Sequence, residues 1–192
     1  MELWLIRHGE TEWSLSGAHT SRTDIPLTSR GREQARSLRP LLSNTTFDAV
    51  LMSPMLRARE TCELTGFGDQ AVVNDALKEW DYGVYEGRTT RDIQEEIPGW
   101  SVWSNEVTEG ETVENVGMRA DNLIREALGA APRPGRLAFF AHAHILRILA
   151  ARWVGLSPES GKHFTLGTAS VSVLGWEREI PAIVRWNQQG GS

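Results

Sequence analysis

The chain has 192 residues, of which 40% are hydrophobic and 23% charged, and a formal net charge of -5; such a length and balance predict one soluble domain over residues 1–192. The apolar runs are far shorter than a bilayer span, so no membrane partner is expected, and no lysine- or arginine-rich run offers nucleic acid a continuous phosphate-tracking surface. Cys62 has no partner for an intramolecular disulfide, and Met1-Glu2-Leu3 lacks the basic stretch and apolar core of a secretion signal, so the expected location is the cytoplasm.

Along the chain, Leu3-Trp4-Leu5-Ile6 reads as a buried strand that stops at Arg7-His8-Gly9. Thr28 is placed to cap a helix carrying Ala35, Leu38, Leu41 and Leu42 on one face, with Pro40 bending or ending it. A second strand, Ala49 to Met52, leads through Ser53-Pro54 into a helix from Leu56 to Leu64 that ends near Gly66, and Ala71 to Val73 forms a short third strand. From Asp81 to Trp103 the chain predicts loops and short helices, with a lid-like stretch over 89–111. Thr112 caps a helix to about Leu128, and a break at Pro132-Pro134-Gly135 precedes the apolar strand Leu137 to Ala141. A helix from Ile145 to Val154 and strands near Val171 to Trp176 and Ile183 to Trp186 complete an α/β alternation.

Four segments carry chemistry. At the end of the first strand, His8 can attack phosphorus through a neutral ring nitrogen, and Arg7 can hold phosphate oxygens in its planar fork. Gly9 lets the backbone approach a ligand. Arg57, just inside a helix that follows a strand, can reach the same carboxyl edge; the alternative is a surface ion pair with Glu60 or Glu63. In Leu77 to Gly87 the carboxyls are Glu79, Asp81 and Glu86, and Trp80 is expected to desolvate its neighbour Glu79 and raise its pKa. The fourth segment, Phe139-Phe140-Ala141-His142-Ala143-His144, again ends a strand. His142-x-His144 has a zinc-compatible spacing, but no further ligand cluster accompanies it, so no metal and no cofactor are expected. Arg147 lies one helical turn on and can reach a second phosphate.

These segments resemble the histidine phosphatase superfamily, the phosphoglycerate-mutase-like group. Arg7-His8-Gly9-Glu10-Thr11 is similar to its N-terminal signature, and the likeness covers nearly the whole chain. The resemblance implies a three-layer α/β/α fold with a mostly parallel sheet. It also implies phosphomonoester hydrolysis in which His8 is the nucleophile and Glu79 the proton donor, while Arg7, Arg57 and His142 bind phosphate and Asp81 and Glu86 are structural. Activity should then peak below pH 7. Ala143 stands where this family usually has glycine. Glu12-Trp13-Ser14, the run Thr23 to Thr28, Glu79 to Gly83 and the stretch from His142 to Arg147 more closely resemble small bacterial acid phosphatases and sedoheptulose-bisphosphatase-like enzymes. By that likeness Ser14, His19, Thr20, Ser53, Ala143, His144 and Arg147 contact the substrate, a small phosphorylated metabolite such as a sugar phosphate or bisphosphate. The alternatives are a cofactor-dependent phosphoglycerate mutase, disfavoured by the compact interval between Glu79 and His142, and a non-catalytic phospho-ligand binding module. The sequence leaves the oligomeric state open.

Overall fold

The computed structural model describes residues 1–130 and 135–191, so the expected break at Pro132 and Pro134 lies outside the described residues. Six strands form one sheet in the order β3-β2-β4-β1-β5-β6, with β1 at Glu2–Arg7, β2 at Ala49–Met52, β3 at Ala71–Val73, β4 at Arg136–Ala141, β5 at Ser170–Glu177 and β6 at Ile180–Gln189. The half formed by β3, β2, β4 and β1 is parallel, and β5 pairs antiparallel with both β1 and β6. β1 is buried from Leu3 to Ile6 because both of its faces are covered.

Alternation along the central strands builds two cores. Leu3 and Leu5 of β1 and Leu137, Phe139 and Ala141 of β4 face one layer, where they meet Leu123 of α6 (Val113–Ala130) and Ile145 and Leu149 of α7 (Ala143–Trp153). Trp4, Ile6, Ala138 and Phe140 face the other, against Leu38, Leu42 and Cys62. That second layer holds α2 (Ser29–Ser37), α3 (Arg39–Leu42) and α4 (Leu56–Thr65). The architecture is therefore the expected α/β/α sandwich. Among the described residues, no helix is long and apolar enough to cross a membrane.

The predicted helix after Thr28 is divided at Leu38, because Pro40 lacks the N–H that would continue it and starts a new helix instead. α4 ends at Gly66 in the left-handed region, as expected for a glycine that closes a helix. α7 begins at Ala143, two residues earlier than expected, with His142 as its N-cap residue. Two short helices were not expected individually. α1 (Glu12–Ser16) is closed by a Thr11 and Ser14 capping box, and α5 (Thr90–Glu96) by a box of Thr89 and Asp92.

Register brings the carboxyl ends together. Arg7 pairs with Ala141, so His8 and His142 leave adjacent parallel strands side by side, and Ser53 leaves β2 on the other side of β4, its N–H donating to Phe140 O. The His8 loop sits directly on α2: a Cβ on Gly9 would lie 2.3 Å from Gly31 O, and one on Gly31 2.1 Å from Glu10 O. Gly31→Ala, which helix propensity alone would favour, should destabilise the protein by about 1–3 kcal/mol through this overpacking. Urea unfolding of the two proteins checks it.

Candidate active site

A cavity of about 430 Å³ opens at the carboxyl edge of the parallel strands, lined by Arg7, His8, Ser14, His19, Thr20, Glu79, Ala143, His144 and Arg147 among others. His8 is nearly buried, and its Nδ1 lies 2.7 Å from Gly9 O. A carbonyl oxygen only accepts, so Nδ1 carries the proton and Nε2 keeps a bare lone pair. Burial, then the charges of Arg57 and Arg7, hold the His8 pKa well below the usual imidazole value, so the ring is neutral at physiological pH. The loop is fixed by Gly9 N–H, which donates to Thr61 Oγ1 on α4 (3.1 Å).

Arg7 donates from Nη1 to Leu166 O, but its Nε–H is buried without a partner among the described residues. Burial pushes its pKa down to about 10, which leaves it cationic. An unpaired N–H on a buried cation costs about 1–3 kcal/mol.

Arg57, His142 and Ser53 stand behind His8, outside the cavity lining and fully buried. The alternative of a surface pairing of Arg57 with Glu60 or Glu63 does not form. Glu60 instead takes Arg32 (2.8 Å) and Leu27 N–H, while Arg57 donates to the carbonyls of Thr20, Ser21 and Thr23. Arg57 Nε also donates to His142 Nδ1 (3.1 Å). A guanidinium cannot accept, so His142 carries its proton on Nε2 and donates it to Ser53 Oγ (2.7 Å). Ser53, expected to line the substrate pocket, is thus engaged with His142 instead. The His8 and His142 ring centroids are 5.2 Å apart.

Glu79 corrects a second expectation. Its Oε1 accepts from Trp80 N–H (3.0 Å) and Ile145 N–H (2.9 Å), and its Oε2 from His144 N–H (3.0 Å). His142 offers no side-chain cap to α7, and Glu79 caps it from another part of the chain. Burial raises the Glu79 pKa, as the neighbouring tryptophan suggested, but the His144 imidazole, the His142 ring and the backbone N–H outweigh it. The carboxyl is held well below its usual range and is ionised in the resting site. The rival acids are structural: Glu86 accepts from the N–H of Ser21 and Thr23, and Asp81 from Gly83 N–H.

The far wall holds residues the sequence left unassigned. Tyr82 OH meets His144 Nδ1 at 2.7 Å, and Trp103 lies 5.0 Å from the His144 ring. Arg147 lies over Trp103 at 4.7 Å and donates from Nε and Nη2 to Gly161 O and Lys162 O. Its Nη1 has no protein acceptor among the described residues. His142 and His144 are held by different partners, and no group of three His, Cys, Asp or Glu suited to a metal occurs among the described residues.

The family model for the histidine phosphatase superfamily, branch 1, matches residues 3–189. The chain belongs to that superfamily. This histidine phosphatase is 40% identical to an acid phosphatase of Mycobacterium tuberculosis over 93% of this chain and 88% of the relative. It is 36% identical to the sedoheptulose 1,7-bisphosphatase of Saccharomyces cerevisiae over 79% of this chain and 67% of that one. A solved structure of an open reading frame product of Mycobacterium tuberculosis superposes with a TM-score of 0.93 at 38% identity, covering 99% of this chain and 98% of its own. The protein is a phosphatase with a phosphoglycerate-mutase-like fold.

Because Glu79 caps α7 as an anion, its folded-state pKa lies below the reference value of 4.5. Its stabilisation is therefore complete above that value and is lost as pH falls through the folded pKa. Glu79→Gln should cost about 2 kcal/mol near neutral pH, and the gap to wild type should close as pH drops below about 4, which urea unfolding at the two pH values measures.

Proposed function

We propose that this phosphatase hydrolyses phosphomonoesters of small metabolites through a phosphohistidine on His8, with no metal in the reaction. The observation that carries the reading is the bare Nε2 of a neutral His8 in the same cavity lining as Arg7, whose Nε–H is unpaired. In the first step the Nε2 lone pair forms the N–P bond in line as the ester P–O bond breaks, and the leaving oxygen takes a proton delivered by Glu79. In the second step water attacks phosphorus, Glu79 accepts its proton, and the N–P bond returns its electrons to His8.

A phosphoryl oxygen completes the hydrogen bonding of Arg7. Behind the nucleophile, Arg57 adds charge, and the Nε2–H of His142 exchanges Ser53 Oγ for a phosphoryl oxygen as charge builds in the transition state. Each phosphate–guanidinium pair is worth on the order of 4 kcal/mol at contact for an effective dielectric near 20, before desolvation. The ionised resting Glu79 favours turnover at acid pH, since the carboxyl must regain a proton before it can act as the acid.

Arg147 assigns the far end of the cavity to a second anionic group, and Ser14, Thr20, Thr90 and Ser101 along the walls suit the hydroxyls of a sugar. A relative named sedoheptulose 1,7-bisphosphatase supports a sugar bisphosphate among the substrates. Hydrolysis is favoured over mutase transfer because both relatives named above are phosphatases. The rest of the reading is a single domain working in the cytoplasm.

Rapid quenching during turnover should trap an acid-labile, alkali-stable phosphoenzyme in the wild type and none in His8→Ala, whose kcat should fall on the order of 10³-fold or more. Retained turnover in His8→Ala would overturn the mechanism. Arg147→Ala should raise KM for sugar bisphosphates about 10-fold or more while changing monophosphate KM little, as steady-state kinetics on matched esters would show.

A further inference from the structure

The resting geometry leaves the general acid without its proton. Glu79 Oε1 is filled by two backbone N–H groups, and Oε2 by one. The remaining lone pair of Oε2 lies within reach of one titratable ring, since His144 Nδ1 is 3.7 Å away. That Nδ1 is held by the buried Tyr82 hydroxyl, and the rings of Trp80 and Trp103 enclose the imidazole at 6.0 Å and 5.0 Å. His144 also lines the cavity, with its side chain 16% exposed, so it exchanges protons with water before an ester fills the site.

We propose that His144 is the proton store of the reaction and that Glu79 is the relay between it and the ester oxygen. The proposal rests on Glu79 being the acid of the mechanism above. When a dianionic ester binds, negative charge on two sides makes the His144 imidazole the most basic site available, and its Nδ1–H turns from Tyr82 toward Oε2. As the ester P–O bond breaks, the Nδ1–H bond breaks and Oε2 gains that proton. Oε2 gives its proton to the leaving oxygen, and the carboxylate is restored. In the second step the proton lost by water passes to Oε2 and back to Nδ1 as hydroxide bonds to phosphorus, so no proton is gained or lost at His144 over the cycle.

The groups that face His144 agree with this assignment. Glu79 favours the imidazolium, while Arg147 on the same helix and Arg7 on β1 disfavour it, and His19, 6.4 Å away, is itself held down to about 4, first by burial and then by His144. With no substrate bound, burial comes first and keeps the ring neutral. Charge on the ester is what tips the balance, so the store fills when substrate is present. Tyr82 is a positioning residue that holds Nδ1 in the resting site, on the ring edge that lies 3.7 Å from the carboxylate.

The test compares two leaving groups. p-Nitrophenolate departs without a proton, whereas an alkoxide such as glycerol 2-phosphate releases needs one. His144→Gln should lower kcat for glycerol 2-phosphate on the order of 10²-fold and leave the pre-steady-state burst of p-nitrophenolate, which reads the phosphorylation step alone, within about threefold. The loss should be larger near pH 7 than near pH 5, because the proton must then reside on Glu79 alone. In His144→Ala, added imidazole should restore alkyl-ester turnover, a rescue that a purely structural role would not give. Glu79→Gln should lose alkyl-ester turnover whatever the role of His144. If Glu79→Gln loses it while His144→Gln keeps wild-type rates on glycerol 2-phosphate, or slows the p-nitrophenolate burst as much as it slows glycerol 2-phosphate, the proton store is refuted and Glu79 stands. If Glu79→Gln keeps alkyl turnover, the underlying assignment of the acid fails.

Discussion

Glu79 is the anion around which the site is assembled. Two guanidinium groups, Arg7 and Arg57, are buried beside His8, and taking such ions out of water costs several kcal/mol each unless charge and hydrogen bonds compensate. The Glu79 carboxylate favours the charged form of both, and of Arg147 as well. It is itself held by the first amides of α7, the helix whose N-cap residue is His142. One side chain therefore joins the stability of α7, the charge balance of the buried arginines and, in the proposed mechanism, the proton chemistry of the ester oxygen.

Around that anion, hydrogen-bond directionality sets the state of each imidazole. The Gly9 carbonyl can only accept, which exposes the His8 lone pair; the Arg57 guanidinium can only donate, which sends the His142 proton toward Ser53. Neither ring needs to titrate for the proposed nucleophile to be ready, and burial with nearby positive charge keeps both neutral. The sheet supplies the precision. His8 and His142 follow paired residues of adjacent parallel strands, so their separation is fixed by the ladder and not by a loop.

Much of this was legible in the sequence because it is local. An apolar run that stops at Arg7-His8-Gly9 carries both the strand and the site, and Phe139 to His142 does the same for β4. The Pro40 break and the Gly66 stop follow from single residues. What escaped depends on groups distant in sequence. The low pKa of Glu79 comes first from the side chain of His144, 65 residues away, and then from His142 and the His144 amide, and Tyr82 reaches His144 across 62; Trp80 alone suggested the opposite shift. Ser53 was placed at the pocket wall by likeness, but β2 sets it against His142. α1 is too short to show periodicity, although the spacing of Thr11 and Ser14 was a readable sign of its cap.

The central claim is that His8 is a neutral nucleophile whose proton is held on Nδ1. Long-range ¹H–¹⁵N correlation spectra of the imidazole rings test it most directly. The account predicts that His8 keeps the Nδ1–H tautomer, with an unprotonated Nε2, from about pH 5 to about pH 8, and that this Nε2 resonance is the one that couples to phosphorus when the phosphoenzyme forms. A His8 ring that titrates near its ordinary value, or that carries its proton on Nε2, would contradict it.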